Sequence, residues 1–452
     1  YPYGESLSDV IGTVSSSTEG LPEEKADYFL QRGYQYNATV GKSGLELEYN
    51  DILAGTSQVS KITYDSKGLA HKEVVREAVK GNDIYLSIDI ELQQYLDKVL
   101  KSILENNAGA SKRENFSSLY MCIMNPNDGS VLALSGYQID LDTKKMTYFA
   151  SGCYQQLFNP GSSVKGATVY MGLSEGVVKP NEVIIDDVMN IAGQEFASYE
   201  NHGAVTDIDA LAVSSNVYMF NIAIRMGGAV YVEGEPLNIQ DLSGTLERMR
   251  YYYSMFGLGN VTGLDVPNET TGYMGIAKEP GMLMHYSIGQ MDMYSPIMLL
   301  QYVSTIAADG NMYKPSLMKY IKEVNSEQII DVGTGQLKST LPSENQEYLE
   351  RVQLGFRTCV TKGNAGDDMK NITEGVAGKT GTAEVQDKWT TAVFVGYAPY
   401  EKPEIAFACV APTSSINTGD VAENICAYDV VPTVVEKYFS IYPAEGYSET
   451  EE

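Results

Sequence analysis

Positive charge is scarce in this sequence of 452 residues. It has 32 Lys and Arg against 59 Asp and Glu, which gives a formal net charge of −27 at pH 7. A nucleic-acid-binding protein needs a basic face to neutralise phosphates, so this balance excludes that class of function. Charged residues make up 20% of the chain and hydrophobic residues 43%, which is typical of a globular protein and not of a disordered one.

Long hydrophobic runs are missing as well. No apolar stretch reaches the roughly 18 residues that a transmembrane helix needs, and no signal peptide is recognisable. The chain begins at Tyr1 and not at a methionine. We therefore expect it to be an excised part of a longer protein, and we draw no conclusion about membrane attachment of the whole.

Cysteine is sparse, and the five cysteines are scattered and odd in number, which is unlike a disulfide framework. Most lie in apolar strings such as "YMCIM" and "FACVA", where small buried side chains are expected. No metal-ligand spacing is recognisable, so the expected metal is none. A zinc site near Cys153, His202 and His285 remains an open alternative.

Histidine is nearly absent. The chain has only His71, His202 and His285, and none of them lies in the context of a catalytic triad. Histidine is the usual base for a serine nucleophile, so a serine enzyme of this sequence needs another base. Lysine can act as that base when burial or a neighbouring cation lowers its pKa.

The length indicates two or more domains. Residues 1–80 read as a separate, looser region, and residues 81–452 as the main domain. There, "GNDIYLSIDIELQQYLDKVLKSILENN" predicts a short strand and then an amphipathic helix with apolar residues from Leu92 to Leu104, and "SLYMCIMNPNDGSVLALSGY" predicts a hairpin. The middle, from about 161 to 310, reads as mostly helical, and strands return in "GKTGTAEV", "TTAVFVGYAP" and "EIAFACVAP" before a last amphipathic helix and an acidic tail at 448–452. This order predicts an α+β fold whose antiparallel sheet joins both ends of the chain.

Serine stands three residues before lysine at two places, Ser162 with Lys165 and Ser316 with Lys319. That spacing places both side chains on one face of a helix. Only the first pair, in "NPGSSVKGATVY", follows a Pro-Gly helix entry, whose N-terminus favours a developing negative charge on the serine oxygen. Ser163 fails the spacing test because Gly166 stands three residues after it.

Two further motifs follow along the chain. The first is Ser214-Ser215-Asn216, although Ser-x-Asn also occurs at 343–345 and 415–417. The second is Lys379-Thr380-Gly381-Thr382 on a predicted strand, where a glycine often marks a close backbone approach to a ligand. A second Lys-Ser-Gly at 42–44 lies upstream of both serine motifs.

The order Ser-x-x-Lys, Ser-x-Asn, Lys-Thr-Gly is the signature of penicillin-recognising serine enzymes. With these motifs the sequence resembles the class B penicillin-binding proteins, which are monofunctional peptidoglycan transpeptidases. The flanking segments "GKSGLELEYNDILAG", "FGLGNVTGLDVPNE", "SIGQMDMYSPIMLLQYVSTIAADGNMYKP" and "FVGYAP" extend the resemblance over nearly the whole chain. It implies a penicillin-binding transpeptidase fold with an all-helical subdomain, and a partial pedestal, dimerisation-like, domain over 1–80. Ser163 stands where threonine is common in the family.

The resemblance also implies a role for each motif residue. Ser162 would be the nucleophile that forms an acyl-enzyme with a stem peptide ending in D-Ala-D-Ala, and Lys165 the base. Lys379 would keep Lys165 deprotonated, and Ser214 would relay a proton to the leaving D-alanine. The expected substrate-binding residues, which would hold the peptide backbone and its terminal carboxylate, are Asn216, Thr380, Gly381 and Thr382. The backbone N–H groups of Ser162 and Thr382 would form the oxyanion hole.

The implied partners are peptidoglycan stem peptides, β-lactam antibiotics that trap Ser162, and a membrane glycosyltransferase of the elongation or division machinery. No cofactor is expected. The implied location is the extracytoplasmic face of the bacterial membrane, through an N-terminal anchor helix outside this sequence. The alternatives are a D,D-carboxypeptidase or β-lactamase, and a penicillin-binding sensor or scaffold.

Overall fold

The computed structural model describes residues 1–385, 388–416 and 424–444, so the acidic tail at 448–452 lies outside the described residues. None of the helices in this described part is both long enough and apolar enough to cross a membrane.

Runs of helices and runs of strands follow one another along the described residues. The helices are α1 Ser8–Ile11, α2 Ala26–Gln31, α3 Gly44–Glu48, α4 Asn50–Leu53, α5 Ile90–Asn107, α6 Gly152–Gln155, α7 Lys165–Ser174, α8 Asp207–Ala212, α9 Asn216–Met226, α10 Leu242–Ser254, α11 Pro280–Ser287, α12 Pro296–Ala307, α13 Gln346–Thr361, α14 Asp367–Asn371 and α15 Val431–Ile441. The strands are β1 Val59–Tyr64, β2 Ala70–Arg76, β3 Asp83–Leu86, β4 Ser118–Met124, β5 Val131–Ile139, β6 Met146–Tyr148, β7 Ile184–Asp186, β8 Met189–Ile191, β9 Gln194–Phe196, β10 Gly203–Val205, β11 Asn311–Tyr313, β12 Met318–Lys322, β13 Ile329–Val332, β14 Leu337–Thr340, β15 Ala377–Val385, β16 Trp389–Ala398 and β17 Ile405–Ile416.

Two compact units divide the described chain. The smaller comprises Tyr1–Ser87, Asp265–Pro267 and Ser316–Thr334, and the larger comprises the rest. In the smaller unit β1 and β2 form a hairpin, and β12 lies between β13 and β3 in a three-stranded antiparallel sheet. The buried Asp265 carboxylate accepts hydrogen bonds from two backbone N–H groups at 317 and 318 and from the hydroxyl of Tyr49 at 2.7 Å.

A six-stranded antiparallel sheet organises the larger unit, in the order β15-β16-β17-β4-β5-β6. The first hairpin of this unit, β4–β5, pairs through β4 with β17 from the end of the chain. The predicted hairpin, the three late strands and the joining of both chain ends in one antiparallel sheet are therefore confirmed. Strand β15, which carries the Lys-Thr-Gly motif, lies at one edge.

The main core covers one face of this sheet. Leucines of α5, among them Leu96 and Leu100, pack with valines of α15 and with Phe394 and Phe407 of the strands. The carboxylate of Asp89 caps α5 by accepting a hydrogen bond from the N–H of Leu92 at 2.9 Å, which satisfies one of the free donors of the first turn. This explains why the apolar period of the sequence begins at 92.

Helix α12 contacts β4, β16 and β17 and is buried along its full length. The core described above uses the odd-numbered side chains of β4, and side chains alternate along a strand, so α12 lies on the opposite face. The larger unit is thus a sheet between helical layers, and the predicted α+β fold is confirmed.

The stretch from 161 to 310 contains, besides its helices, four three-residue strands, β7 to β10. Short strands of this length carry too little periodicity to be recognised within a helical pattern. The string around Ser214 also differs from a single helix. Helix α8 ends at Ala212, Ser214 has a left-handed backbone with φ +62°, and α9 begins at Asn216.

Replacing Leu100 by alanine tests the packing of α5 on the sheet. The side chain is fully buried, so we expect the free energy of unfolding in urea to fall by about 3 kcal/mol from lost burial and the cavity left behind. The exposed Lys98, on the same helix, gives the control, and Lys98→Ala should change this free energy by less than about 0.5 kcal/mol. Equal effects of the two substitutions would contradict the placement of α5.

Candidate active site

Ser162 lies in a single 3-10 turn, Gly161–Val164, that continues directly into α7 at Lys165. Side chains three residues apart eclipse one another in a 3-10 turn, so Ser162 and Lys165 lie on the same side. Ser162 lines a cleft, whereas Lys165 is fully buried behind it. The neighbouring Ser163 is buried, and its hydroxyl donates to the carbonyl of Pro160 at 2.9 Å.

Glycines allow this turn to lie directly against the edge strand β15. Gly161 has φ +54°, and a Cβ atom there would lie 2.6 Å from the carbonyl oxygen of Thr382. A Cβ on Gly381 would lie 2.5 Å from the carbonyl oxygen of Pro160. Side chains at either position would force the two segments apart, so the glycines set the distance between the Ser162 turn and the Lys-Thr-Gly strand.

The amine of Lys165 is held by the Ser214–Asn216 segment. It donates to the backbone oxygen of Ser214 at 2.7 Å, to the Ser214 hydroxyl at 3.3 Å and to Oδ1 of Asn216 at 2.6 Å. No hydrogen bond joins it to the Ser162 hydroxyl in the described part of the chain. These bonds hold the buried amine in one place beside the turn.

Lys379 reaches the same serine from the opposite side. Its amine donates to the hydroxyl of Ser214 at 3.0 Å, and to the backbone oxygen and hydroxyl of Thr380 at 3.0 and 3.4 Å. The Ser214 hydroxyl oxygen therefore accepts from both lysines. The three predicted catalytic residues Lys165, Ser214 and Lys379 meet at this one oxygen, although they are far apart in the sequence.

Burial weakens both lysines as cations, and the charge of Lys379 acts on Lys165 in addition. Burial lowers the pKa of Lys165 well below its ordinary value, the positive charge of Lys379 lowers that pKa further, and the carboxylate of Asp186 and the thiol of Cys359 oppose the change. Burial also lowers the pKa of Lys379. A lowered pKa increases the share of neutral amine, which is the form that can act as a general base.

Three of the four substrate-binding residues predicted from the sequence, Asn216, Thr380 and Thr382, line the same cleft, whereas Gly381 is buried. Asn216 is the first residue of α9, and the preceding Ser215 caps that helix by accepting from the N–H of Tyr218 at 3.0 Å. Thr380 and Thr382 line the cleft from β15. The Thr380 hydroxyl donates to the side chain of Asn364 at 2.9 Å, whereas Thr382 is exposed.

The cleft at Ser162 has a volume of about 730 Å³. Its apolar wall includes Phe196, Tyr199 and Phe220, and Asn364 and His285 also line it. The sequence interpretation missed the aromatic residues and Asn364, because no motif marks them, and it named His285 only as part of the zinc alternative. The scarcity of histidine was the one available signal for His285, whose pKa is lowered by burial against the opposing charges of Glu384 and Glu279.

The described residues of the competing motif matches are not among those that line the cleft. Lys42-Ser43-Gly44 and the Ser316–Lys319 pair belong to the smaller unit, whereas Lys165 and Lys379 belong to the larger one. Ser343 to Asn345 form a 3-10 turn before α13. The side-chain hydroxyls of Ser415 and Thr390 are hydrogen-bonded to each other at 2.7 Å. The last residue of the 415–417 match lies outside the described residues. Within residues 1–385, 388–416 and 424–444, no group of three or more His, Cys, Asp or Glu side chains could hold a metal ion.

Two family descriptions match the sequence. That of the penicillin binding protein transpeptidase domain matches residues 119–430, and that of the penicillin-binding protein dimerisation domain matches residues 1–86.

Similar proteins cover almost the whole chain. Penicillin-binding protein 2A of Bacillus subtilis is 36% identical over 98% of this chain and 64% of its own length. A protein of Haemophilus influenzae named peptidoglycan D,D-transpeptidase MrdA is 25% identical over 97% of this chain and 70% of its own length. The solved structure of penicillin-binding protein 2B of Streptococcus pneumoniae R6 matches with a TM-score of 0.88 and 29% identity, over 97% of this chain and 73% of that one. The chain therefore spans slightly less than two thirds of the Bacillus relative.

The close approach of the turn to β15 makes Gly161 a sensitive position. We expect Gly161→Ala to slow the labelling of Ser162 by a fluorescent penicillin more than about tenfold. The new Cβ would push the turn away from β15 and so move the Ser162 hydroxyl out of the position in which it reacts. Gly176 has a similar φ of +66° at the end of α7 but open space around its Cβ position. Gly176→Ala should leave the labelling rate unchanged, and similar rates for the two variants would contradict this account.

Proposed function

Because this chain belongs to the penicillin-binding protein transpeptidase family, we propose that it acts as a serine D,D-transpeptidase on peptidoglycan stem peptides. The observation that carries the proposal is the convergence of Lys165, Ser214 and Lys379 behind Ser162 at the cleft. A histidine base is not needed where a buried lysine amine lies one turn from the serine. Residues 1–80 are proposed to be the non-catalytic pedestal, and residues 81–452 the catalytic domain.

The first step of the proposed reaction is acylation of Ser162. The neutral amine of Lys165 takes the hydroxyl proton while the Ser162 oxygen attacks the carbonyl of the penultimate D-alanine. The carbonyl oxygen becomes an oxyanion, which the backbone N–H groups of Ser162 and Thr382 would stabilise. Collapse of this intermediate breaks the peptide bond and releases D-alanine after its nitrogen has gained a proton.

Ser214 is suited to deliver that proton. Its hydroxyl oxygen accepts from both lysine amines, so its own hydrogen is directed away from them. A hydroxyl that accepts a hydrogen bond from a protonated lysine can donate its own proton to the leaving amine and take a replacement proton from that lysine. The amine of a neighbouring stem peptide would then attack the acyl-enzyme, giving the cross-link and freeing Ser162.

The edge position of β15 supports a peptide substrate. An edge strand offers unpaired backbone groups to which an extended peptide can add as a further strand. Asn216 would hold that peptide from the other side of the cleft. Thr380 and Thr382 would bind its terminal carboxylate beside the positive charge of Lys379. The β-lactams present a similar acyl group and carboxylate and would therefore acylate Ser162.

A place at the extracytoplasmic face of the bacterial membrane, with a membrane glycosyltransferase as partner, belongs to the same proposal. Stem peptides are cross-linked outside the cytoplasm, and the glycan strands that carry them must be supplied by a polymerising enzyme.

Labelling with a fluorescent penicillin, followed by mass spectrometry of the labelled peptide, tests the nucleophile. We expect one covalent adduct on Ser162, no labelling of Ser162→Ala, and labelling of Ser163→Ala, because the Ser163 hydroxyl is bonded to the Pro160 carbonyl and does not face the cleft. An adduct on any other residue would refute the assignment. Rapid turnover of penicillin would favour a β-lactamase. Release of D-alanine without transfer to an added amine would favour a carboxypeptidase, and acylation without either reaction a sensor.

The pH dependence of acylation tests the role of Lys165. Its pKa is lowered well below the ordinary lysine value of about 10.4, so the neutral amine is present at correspondingly lower pH. The acylation rate should therefore rise with pH and level off well below pH 10. Measurement is by stopped-flow with a chromogenic cephalosporin, with circular dichroism as the control for folding across the range. A rise centred near the ordinary lysine pKa would contradict a neutral Lys165 base.

A further inference from the structure

The described residues contain one buried carboxylate near the two lysines that the proposed reaction does not use. Asp186 is the last residue of β7 and is only 1% exposed. Its Oδ2 accepts a hydrogen bond from the hydroxyl of Ser198 at 2.7 Å. A buried carboxylate is costly unless neighbouring groups compensate for its lost hydration, so its position calls for a physical reason.

Ser198 connects this carboxylate to the start of α9. Its hydroxyl oxygen accepts from the backbone N–H of Asn216 at 2.8 Å and from that of Val217 at 3.3 Å. These are the first two residues of α9, whose donors have no partner within the helix. With Ser215 accepting from Tyr218, the first three N–H groups of α9 are satisfied by two serine hydroxyls, and the helix start is fixed in place.

Asn216 continues the chain of contacts to Lys165. Its Oδ1 accepts from the Lys165 amine at 2.6 Å, and its side-chain amide donates to the backbone oxygen of Ala197 at 3.2 Å, next to Ser198. The Asn216 side chain is therefore oriented by the same segment that holds its backbone. The path from Asp186 through Ser198 and Asn216 to Lys165 is continuous.

We propose that Asp186 and Ser198 are positioning residues for the reaction at Ser162. Ser198 holds Asn216, and thereby the Lys165 amine, in place, and the Asp186 carboxylate stabilises the ammonium that forms when Lys165 takes the Ser162 proton. The inference rests on the proposed function, because it assigns a role in the acylation step of that reaction.

The electrostatic surroundings of Lys165 agree with this role. Three groups act on it from three elements: Lys379 of β15 lowers its pKa, and Asp186 of β7 and Cys359 of α13 raise it. The ring hydroxyl of Tyr199 is a further titratable group that interacts with Asp186. A base whose proton affinity is too low accepts a proton poorly, so a carboxylate that offsets burial and Lys379 keeps Lys165 effective.

Asp186→Asn removes the charge and keeps the shape. We expect its acylation rate by a chromogenic cephalosporin to level off about tenfold lower, with the pH midpoint of the rise moved to lower pH, since loss of the carboxylate lowers the pKa of Lys165. A merely structural role would lower the rate without moving the midpoint. The exposed neighbour Asp187 is the matched control, and Asp187→Asn should keep both the rate and the midpoint.

The Ser198→Ala variant tests the positioning of Asn216 separately from the charge of Asp186. It removes the link to Asn216 but keeps the carboxylate, so the plateau rate should fall about tenfold while the midpoint stays, and Ser198→Thr should restore most of the rate. A wild-type profile for Asp186→Asn, or a wild-type rate for Ser198→Ala, would overturn the inference. If Asp186→Asn does not fold, the result for Ser198→Ala tests the inference. The wild-type protein is labelled in the same experiment. If it is labelled on Ser162, a variant result that contradicts the prediction overturns this inference only. If it is not labelled, the proposed function is overturned together with the inference.

Discussion

The burial of two lysine amines at one serine hydroxyl is the constraint on which the rest of the site depends. Moving a cation out of water costs several kcal/mol, and two neighbouring cations also repel each other. The structure offsets this cost with hydrogen bonds from Lys165 and Lys379 to Ser214, Asn216 and Thr380. The cost that these bonds do not offset appears as lowered pKa values of both lysines, and a lowered pKa makes the neutral amine of Lys165 available for the proposed reaction.

Such an arrangement requires a rigid frame, because the contacts come from three separate elements. Helix α7 supplies Lys165, the bend before α9 supplies Ser214, and the edge strand β15 supplies Lys379. Glycine at 161 and 381 brings the first and third of these into direct contact. The left-handed backbone at Ser214 turns its hydroxyl and its carbonyl toward the same amine, which a regular helix would not do.

Much of the fold could be predicted from the sequence alone, and the motifs supplied the candidate residues that the structure brings together, for a physical reason. Long periodic segments such as α5, and strands bounded by Asn-Pro-Asn-Asp-Gly, carry their signal locally. The spacing to Lys165 is likewise a local signal, and it selected Ser162 and not Ser163 as the candidate nucleophile. Asp186, Ser198 and Asn364 carry no such signal, because their importance arises from burial and from contacts across many residues. The short strands β7 to β10 were missed because three residues show no usable period.

The buried charges also bear on what the cleft can accept. If Lys165, Lys379 and Asp186 are all ionised, they sum to one positive charge in a region with little water. When Lys165 is neutral and able to act as a base, the sum falls to zero, so the reactive state is also the electrically balanced one. In the proposed reaction, an anionic peptide terminus bound beside Lys379 would add a negative charge that stabilises the ammonium formed when Lys165 takes the Ser162 proton, while the negative charge formed in the same step lies on the oxyanion. The protonation of Lys165 would therefore be coupled to the binding of the carboxylate.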